Sequence, residues 1–181
     1  MSSPNTNFLL AKRYASIGDI QSLTNILNTT LNIHYENDGI LISAIDSKRL
    51  DVVKYLLTST NLLDNADIHA QDDYLLKFIA YNNCDDFLHF IINDEEIKKE
   101  VDLRKNNYNI FLSACYHKST EVINILINKY NEEELQELIS ILERSKISDK
   151  NEICNKIKSK ILYINLDTTL LVKEIKVNTK I

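Results

Sequence analysis

A segment of seven residues recurs along this chain at intervals that indicate a repeating architecture. Each copy starts with an acidic or amide residue and continues with apolar residues at helical spacing. The copies begin at residues 21, 51, 86 and 121, so the intervals are 30, 35 and 35 residues. A period of this length is typical of stacked supersecondary units that bury their apolar faces against one another. The four copies are Gln21–Leu27, Asp51–Leu57, Asp86–Ile92 and Glu121–Ile127.

A shorter helical pattern precedes each copy, so that the repeating unit is a pair of helices. In the second unit, Leu41, Ala44 and Ile45 share one face of a predicted inner helix. Lys48-Arg49 then forms a turn before the outer helix. Isolated helices shorter than ~12 residues are marginal in water, so each pair needs neighbours to cover its apolar face. We therefore predict an all-α domain of stacked helix-turn-helix units.

A second feature repeats with the same period, in the segment that joins an outer helix to the next inner helix. We call this segment the finger and predict that it is extended. Its triplets are Asn32–His34, Asp67–His69 and Asp102–Arg104. Seven residues after each triplet comes an apolar residue of the next inner helix, in order Leu41, Leu76 and Phe111. Two features that share one period strengthen the prediction of a solenoid.

These motifs resemble the ankyrin repeat. Arg49–Leu57 is similar to the second-helix motif of that family, Ala66–Ala70 to its loop motif, and Gly18-Asp19 to its turn between helices. The resemblance covers about residues 8–130. It implies an ankyrin-repeat solenoid that binds a protein partner through its concave face.

The chain departs from the family pattern in three ways. No inner helix opens with Thr-Pro-Leu-His, and the finger is about three residues shorter than the common form. The turn glycine is replaced in later units by Lys48, Asn83 and Lys118. Short fingers and a composition rich in Asn, Ile and Lys resemble the divergent ankyrin proteins of giant DNA viruses.

The boundaries follow from the repeat. We predict a loose tail over 1–7, four repeats over about 8–38, 39–73, 74–107 and 108–130, a degenerate capping repeat over 131–164, and an unassigned tail over 165–181. Asn131 precedes three glutamates and is predicted to cap the first helix of the capping repeat. Asp149 is predicted to cap the second helix. Asn93–Val101 is expected to contain an extra helical turn.

Composition excludes several classes of protein. The net charge of −5 argues against nucleic-acid binding, and no cluster of Lys and Arg is apparent except around Lys156–Lys160. No apolar run approaches ~20 residues, so we expect no membrane span and no membrane partner. The start of the chain lacks the pattern of a secretory signal. Three cysteines without framework spacing suit a reducing compartment. We expect a cytoplasmic monomer, in the host cytoplasm if the chain is viral.

The candidate chemical groups do not predict an enzyme, a metal site or a bound cofactor. Cys115 and His117 lie two apart on a predicted helix, so their side chains diverge by about 200° and cannot share a hydrogen bond. His34 and His69 occupy equivalent finger positions and point in parallel, which favours hydrogen bonds within the finger over zinc binding. With only two glycines the chain cannot form a glycine-rich phosphate loop.

The resemblance implies that a protein partner contacts the fingers and the exposed face of the inner helices. Tyr81 and Tyr116 recur at one register, where an exposed aromatic side chain would anchor an interface. The alternative is that both are ordinary half-buried tyrosines. The full candidate set is Tyr35, Glu36, Asp38, Asp46, Gln71, Asp72, Asp73, Tyr81, Asn82, Lys105, Asn106, Asn107, Tyr116 and His117. An alternative function is an adaptor whose C-terminal segment recruits host machinery such as a ubiquitin ligase.

Overall fold

Apolar side chains at helical spacing produce a chain that is helical almost throughout. A computed structural model describes residues 4–29 and 31–178, and within these ranges it contains helices and turns but no strand. This confirms the predicted all-α class. The helices are α1 (Pro4–Ile17), α2 (Ile20–Leu27), α3 (Gly39–Asp46), α4 (Leu50–Thr58), α5 (Ala70–Asn82), α6 (Asp85–Asn93), α7 (Ile97–Glu100), α8 (Lys105–His117), α9 (Thr120–Lys129), α10 (Glu132–Arg144) and α11 (Lys150–Asn178).

The helices pack in two rows. The inner helices α1, α3, α5 and α8 contact one another in that order, and each also contacts the outer helix that follows it. In the outer row α4 packs on α6, α6 on α9, and α9 on α11. Val53, Leu88 and Ile123 occupy equivalent positions on α4, α6 and α9, and all three are buried in one core. The apolar face of each pair is therefore covered by the next pair.

The turn between the inner and outer helices has one geometry in every unit. Gly18 has φ 85°, and Lys48, Asn83 and Lys118 have φ between 54° and 59° at the equivalent positions. The residue after each turn donates its N–H to the carbonyl five residues earlier, for example Arg49 to Ala44 at 2.9 Å. This left-handed C-cap is the usual reason for glycine at a helix end. The predicted equivalence of these positions to Gly18 is confirmed.

The fingers are turns rather than the extended segments that we predicted. In each one the side chain of the first triplet residue accepts the N–H of the third, at 2.8 Å in the first two fingers and 2.9 Å in the third. The chain then takes three consecutive left-handed residues with φ between 50° and 60°. These runs are Glu36–Asp38, Gln71–Asp73 and Asn106–Tyr108, again 35 residues apart. The last two lie within the bounds of α5 and α8 and interrupt the right-handed backbone near the start of each. Local side-chain bonds thus replace the backbone pairing of an extended finger.

The ends of the described chain are more helical than the sequence predicted. Helix α1 begins at Pro4, within the segment that we expected to be loose. Helix α11 continues to Asn178 and therefore includes most of the segment left unassigned. The last three residues lie outside the described part. The predicted cap at Asn131 is confirmed, because its side chain accepts the N–H of Glu134 at 3.0 Å, and the Glu134 carboxylate accepts the N–H of Asn131 at 2.8 Å.

The predicted extra helical turn before the third finger is also present, as α7. The Asp94 carboxylate caps this turn, because its Oδ1 accepts the N–H groups of Glu96 and Ile97, both at 3.1 Å. No helix in the described ranges is both long and apolar enough to cross a membrane.

Candidate functional site

Three aromatic side chains form an exposed cluster on the inner row of helices. Tyr81 lies near the end of α5 and is 65% exposed, and Tyr116 lies near the end of α8 and is 73% exposed. The ring of His117 is 4.3 Å from that of Tyr81 and 5.2 Å from that of Tyr116, measured between centroids. The cluster therefore bridges two neighbouring units and faces solvent.

Helix periodicity explains why these rings point outward. Ile79 and Ala80 on α5, and Ala114 and Cys115 on α8, fill the core directly before the aromatic residues. A helix turns by about 100° per residue, so the next residue along leaves the buried face. Tyr81 and Tyr116 are thus exposed, and the alternative that both are half-buried is excluded.

The equivalent position in the second unit holds an acid, Asp46, instead of an aromatic residue. Asp46 is exposed, and its Oδ1 accepts a hydrogen bond of 2.6 Å from the hydroxyl of Tyr74 on α5. This hydrogen bond, with partial burial, raises the pKa of Tyr74 above its ordinary value of 10.0. The aromatic cluster is accordingly confined to the third and fourth units.

Two of the predicted site residues are buried acids. Asp38 is 3% exposed and lies 3.0 Å from His34 Nδ1, while its Oδ1 accepts the N–H of Asp67 in the next finger at 3.1 Å. Asp73 is also buried and lies 2.5 Å from His69 Nδ1. These carboxylates hold adjacent fingers together and offer little surface to a partner.

Electrostatics keep Asp73 ionised. Burial by itself raises the pKa of Asp73, but hydrogen bonds from Lys105 and His69 and the charge of Lys105 lower it by more, so the pKa lies below 3.8. The Lys105 ammonium donates to Asp73 Oδ2 at 2.7 Å. His34 and His69 each contact the buried acid of their own finger, so their predicted role in hydrogen bonds within the fingers is confirmed.

The remaining predicted residues are distributed along the row of fingers. Tyr35 is half-buried against Phe8, with ring centroids 4.8 Å apart, and lies in the first finger. Asn82 is exposed beside Tyr81, and its amide donates to the carbonyl of Phe78 at 3.1 Å. The predicted residues that are exposed in the left-handed runs are Glu36, Gln71, Asp72, Asn106 and Asn107, and Asn37, which was not predicted, is exposed as well.

A small groove with mixed polar and apolar lining lies between α5 and α8 and includes residues that the sequence did not indicate. Its polar lining includes Asp72 and Asn106 from the fingers, and Lys77 and Ser113 from the helices. Lys77 and Ser113 lie four residues before Tyr81 and His117 respectively, which places them on the same helix faces as the cluster. That spacing was the signal in the sequence that could have identified them.

Comparisons with known proteins identify no relative. Protein-family models, curated proteins and solved structures all give no match. Any function for this chain must therefore be argued from its own surface.

The cysteines have no exposed nucleophilic character. Cys115 is buried while His117 is exposed, so the two do not form a pair, and burial raises the pKa of the Cys115 thiol to about 12. Burial also raises the pKa of Cys84 and of Cys154. Among the described residues, no group of three His, Cys, Asp or Glu side chains is placed to hold a metal ion.

Proposed function

We propose that this chain is a protein-protein interaction module without catalytic activity, built as a divergent ankyrin-repeat solenoid. The shared period of the outer helices, the left-handed turns and the fingers supports this assignment. The fingers differ from the family form, since each is closed by an aspartate or asparagine side chain. We place the repeats at about 8–38, 39–73, 74–107 and 108–130, followed by the cap.

The proposed binding surface is the aromatic cluster of Tyr81, Tyr116 and His117, extended by the groove between α5 and α8. The observation that carries the proposal is the exposure of two large rings beside each other on one face. Exposed aromatic residues are enriched among the few side chains that dominate binding energy at interfaces. Lys77, Asn82 and Ser113 lie within four residues of a ring on the same helices, and their polar groups would form hydrogen bonds with the partner.

A cytoplasmic location accompanies this function. The three cysteines are free and buried, which is compatible with a reducing compartment. We propose a monomer whose partner is another protein.

The test is quantitative affinity capture from the cells that express the chain. Wild type is compared with the Tyr81→Ala/Tyr116→Ala variant, and with Leu63→Ala, which removes an exposed apolar side chain far from the cluster as a control. We expect the double variant to lose a specific partner by at least about tenfold, because hot-spot residues contribute about 2 kcal/mol or more. The control should retain that partner. Recovery of the same proteins by all three would contradict the proposal.

A further inference from the structure

Helix α11 carries an apolar stripe on the side that faces away from the rest of the molecule. Ile153 and Ile157 are buried against the core. A stripe of four side chains lies about 120–180° around the helix axis from Ile157, and each is more than half exposed. These residues, the α11 stripe, are Leu162, Tyr163, Leu166 and Leu170.

Three lysines lie within about two turns before Leu162, the first residue of the stripe, and the one charged residue among 161–170 is Asp167. Lys156 and Lys160 lie along one edge of it and Lys158 along the other, at angles of about 65–105° from its centre. The ammonium of Lys160 sits 5.7 Å from the centroid of the Tyr163 ring. An apolar stripe that begins next to lysines is typical of a helix that lies in a lipid-water interface, where the lysines reach outward to the headgroups.

Charge is segregated between the segment 144–181 and the remainder of the chain, and α11 within that segment holds 6 Lys against 3 Asp and Glu, a net charge of +3. Residues 1–143 contain 12 Lys and Arg against 22 Asp and Glu, a net charge of −10. Residues 144–181 contain 9 against 4, a net charge of +5. An anionic surface would therefore attract α11 and repel the repeats, and this orients the molecule with the stripe toward the surface.

We propose that the α11 stripe and its lysines bind an anionic lipid surface. A second copy of the chain is disfavoured as the occupant, because pairing two such helices would bring two basic segments together. An acidic groove of another protein is also disfavoured. A groove would enclose most of the helix, but one side of α11 is already packed on α9 and α10, whereas a flat surface contacts only the exposed side. We expected no membrane partner because the sequence has no segment long enough to cross a membrane, and a helix that lies on the membrane surface needs no such segment.

The first experiment is flotation of the full chain with vesicles. The probes are phosphatidylcholine vesicles with and without about one-third phosphatidylserine, a content that gives a negative surface potential. We expect binding to the anionic vesicles only, and loss of that binding at high salt. Leu166→Ser should reduce partitioning by about tenfold, since a buried leucine contributes that much or more. Leu63→Ser is the matched control, because Leu63 is 85% exposed outside α11.

The lysines are tested in the same assay. Lys156→Gln/Lys160→Gln should weaken binding to anionic vesicles by at least about tenfold, because each lysine near such a surface contributes about 1 kcal/mol. Lys98→Gln/Lys99→Gln removes the same charge from α7 and should have a much smaller effect. Equal effects of the two pairs would show attraction by net charge alone and would overturn the proposal.

A fluorescence measurement locates the contact. The chain contains no tryptophan, so Leu166→Trp introduces a single reporter into the stripe. Its emission should shift to the blue with anionic vesicles and be quenched by brominated lipid, whereas Leu63→Trp should show neither change. A folded wild-type chain that ignores anionic vesicles would overturn the proposal. Two other results would also overturn it. One is a dimer of the wild-type chain that Leu166→Ser dissociates, and the other is binding of an acidic protein to the stripe in a chain that does not bind vesicles.

Discussion

The second and third fingers have the same backbone but end in chemically different side chains. Asp73 and Tyr108 both have φ of 60° and both are buried. Asp73 accepts a hydrogen bond from Lys105 in the next finger, whereas the Tyr108 hydroxyl donates to Glu137 of α10 at 2.8 Å. The side chain at the end of each left-handed run therefore matches the element that packs next to it, while the backbone of the run stays the same.

The first finger fits the same rule. Asp38 accepts the N–H of Asp67 from the second finger, so both acids lie where another finger follows. Tyr108 lies where the cap follows, and its ring packs against Tyr130 with centroids 5.4 Å apart. The difference indicates that a tyrosine replaces the buried acid in the last finger, where α10 follows instead of another finger.

The largest effect should come from removing the tyrosine at the cap. Tyr108→Ala deletes a buried ring and its contact with Tyr130, so we expect a loss of about 3–5 kcal/mol in the free energy of unfolding. Urea denaturation followed by circular dichroism measures it. Tyr108→Phe should cost only about 1 kcal/mol, because the ring remains and one hydrogen bond is lost. A loss below about 1 kcal/mol for the alanine variant would show that Tyr108 does not join the repeats to the cap.

The acid of the second finger should matter less. Asp73→Ala leaves Lys105 and His69 without their acceptor, but both reach water, so we expect a cost of about 1–3 kcal/mol. The variant should also change the acid response. The folded pKa of Asp73 lies below 3.8, so its contribution is present above pH 3.8 and is lost as pH falls through the folded pKa. Unfolding measured against pH should be less acid-sensitive in Asp73→Ala. Identical acid profiles would refute the ionised role of this residue.

Glycine substitutions test whether the three backbones are equivalent. Asn37, Asp72 and Asn107 are the exposed middle residues of the left-handed runs, with φ of 55°, 59° and 58°. Replacing each by glycine should stabilise the chain by about 0.5 kcal/mol, because glycine adopts positive φ without steric cost. Thermal unfolding of the single variants gives the comparison. Stabilisation at only one of the three sites would mean that the fingers differ in backbone.

The smallest effect concerns His34, which has Arg104 as its equivalent in the third finger. Partial burial lowers the pKa of His34, but Asp64 and Asp38 together outweigh this, so the pKa lies above 6.5. Its contribution is therefore fully present below pH 6.5 and is lost as pH rises through the folded pKa. Because His34 is partly exposed, we expect a few tenths of a kcal/mol. His34→Gln should abolish this pH dependence, and an unchanged pH profile would count against the contact with the two acids.

Periodicity predicted the helix pairs, the turns at Lys48, Asn83 and Lys118, and the register of Tyr81 and Tyr116. These features depend on spacing, which a single sequence displays. The cap at Asn131 was also predictable, since three glutamates follow it and a helix begins there.

The finger geometry was not predictable. Three left-handed residues without glycine are disfavoured by local sterics, so no propensity indicates Gln71–Asp73. The burial of Asp38 and Asp73 depends on donors that lie about 30 residues away in the chain. The helix over 165–178 was missed because weak alternation near the end resembles a strand or a tail.

The central claim is that one finger backbone is repeated three times, and nuclear magnetic resonance tests it most directly. A residue with positive φ brings its own amide and Hα protons closer together than helical or extended backbone does. We predict strong intraresidue cross-peaks between these protons at all nine residues of Glu36–Asp38, Gln71–Asp73 and Asn106–Tyr108. Strong cross-peaks in one finger and weak ones in another would contradict the claim.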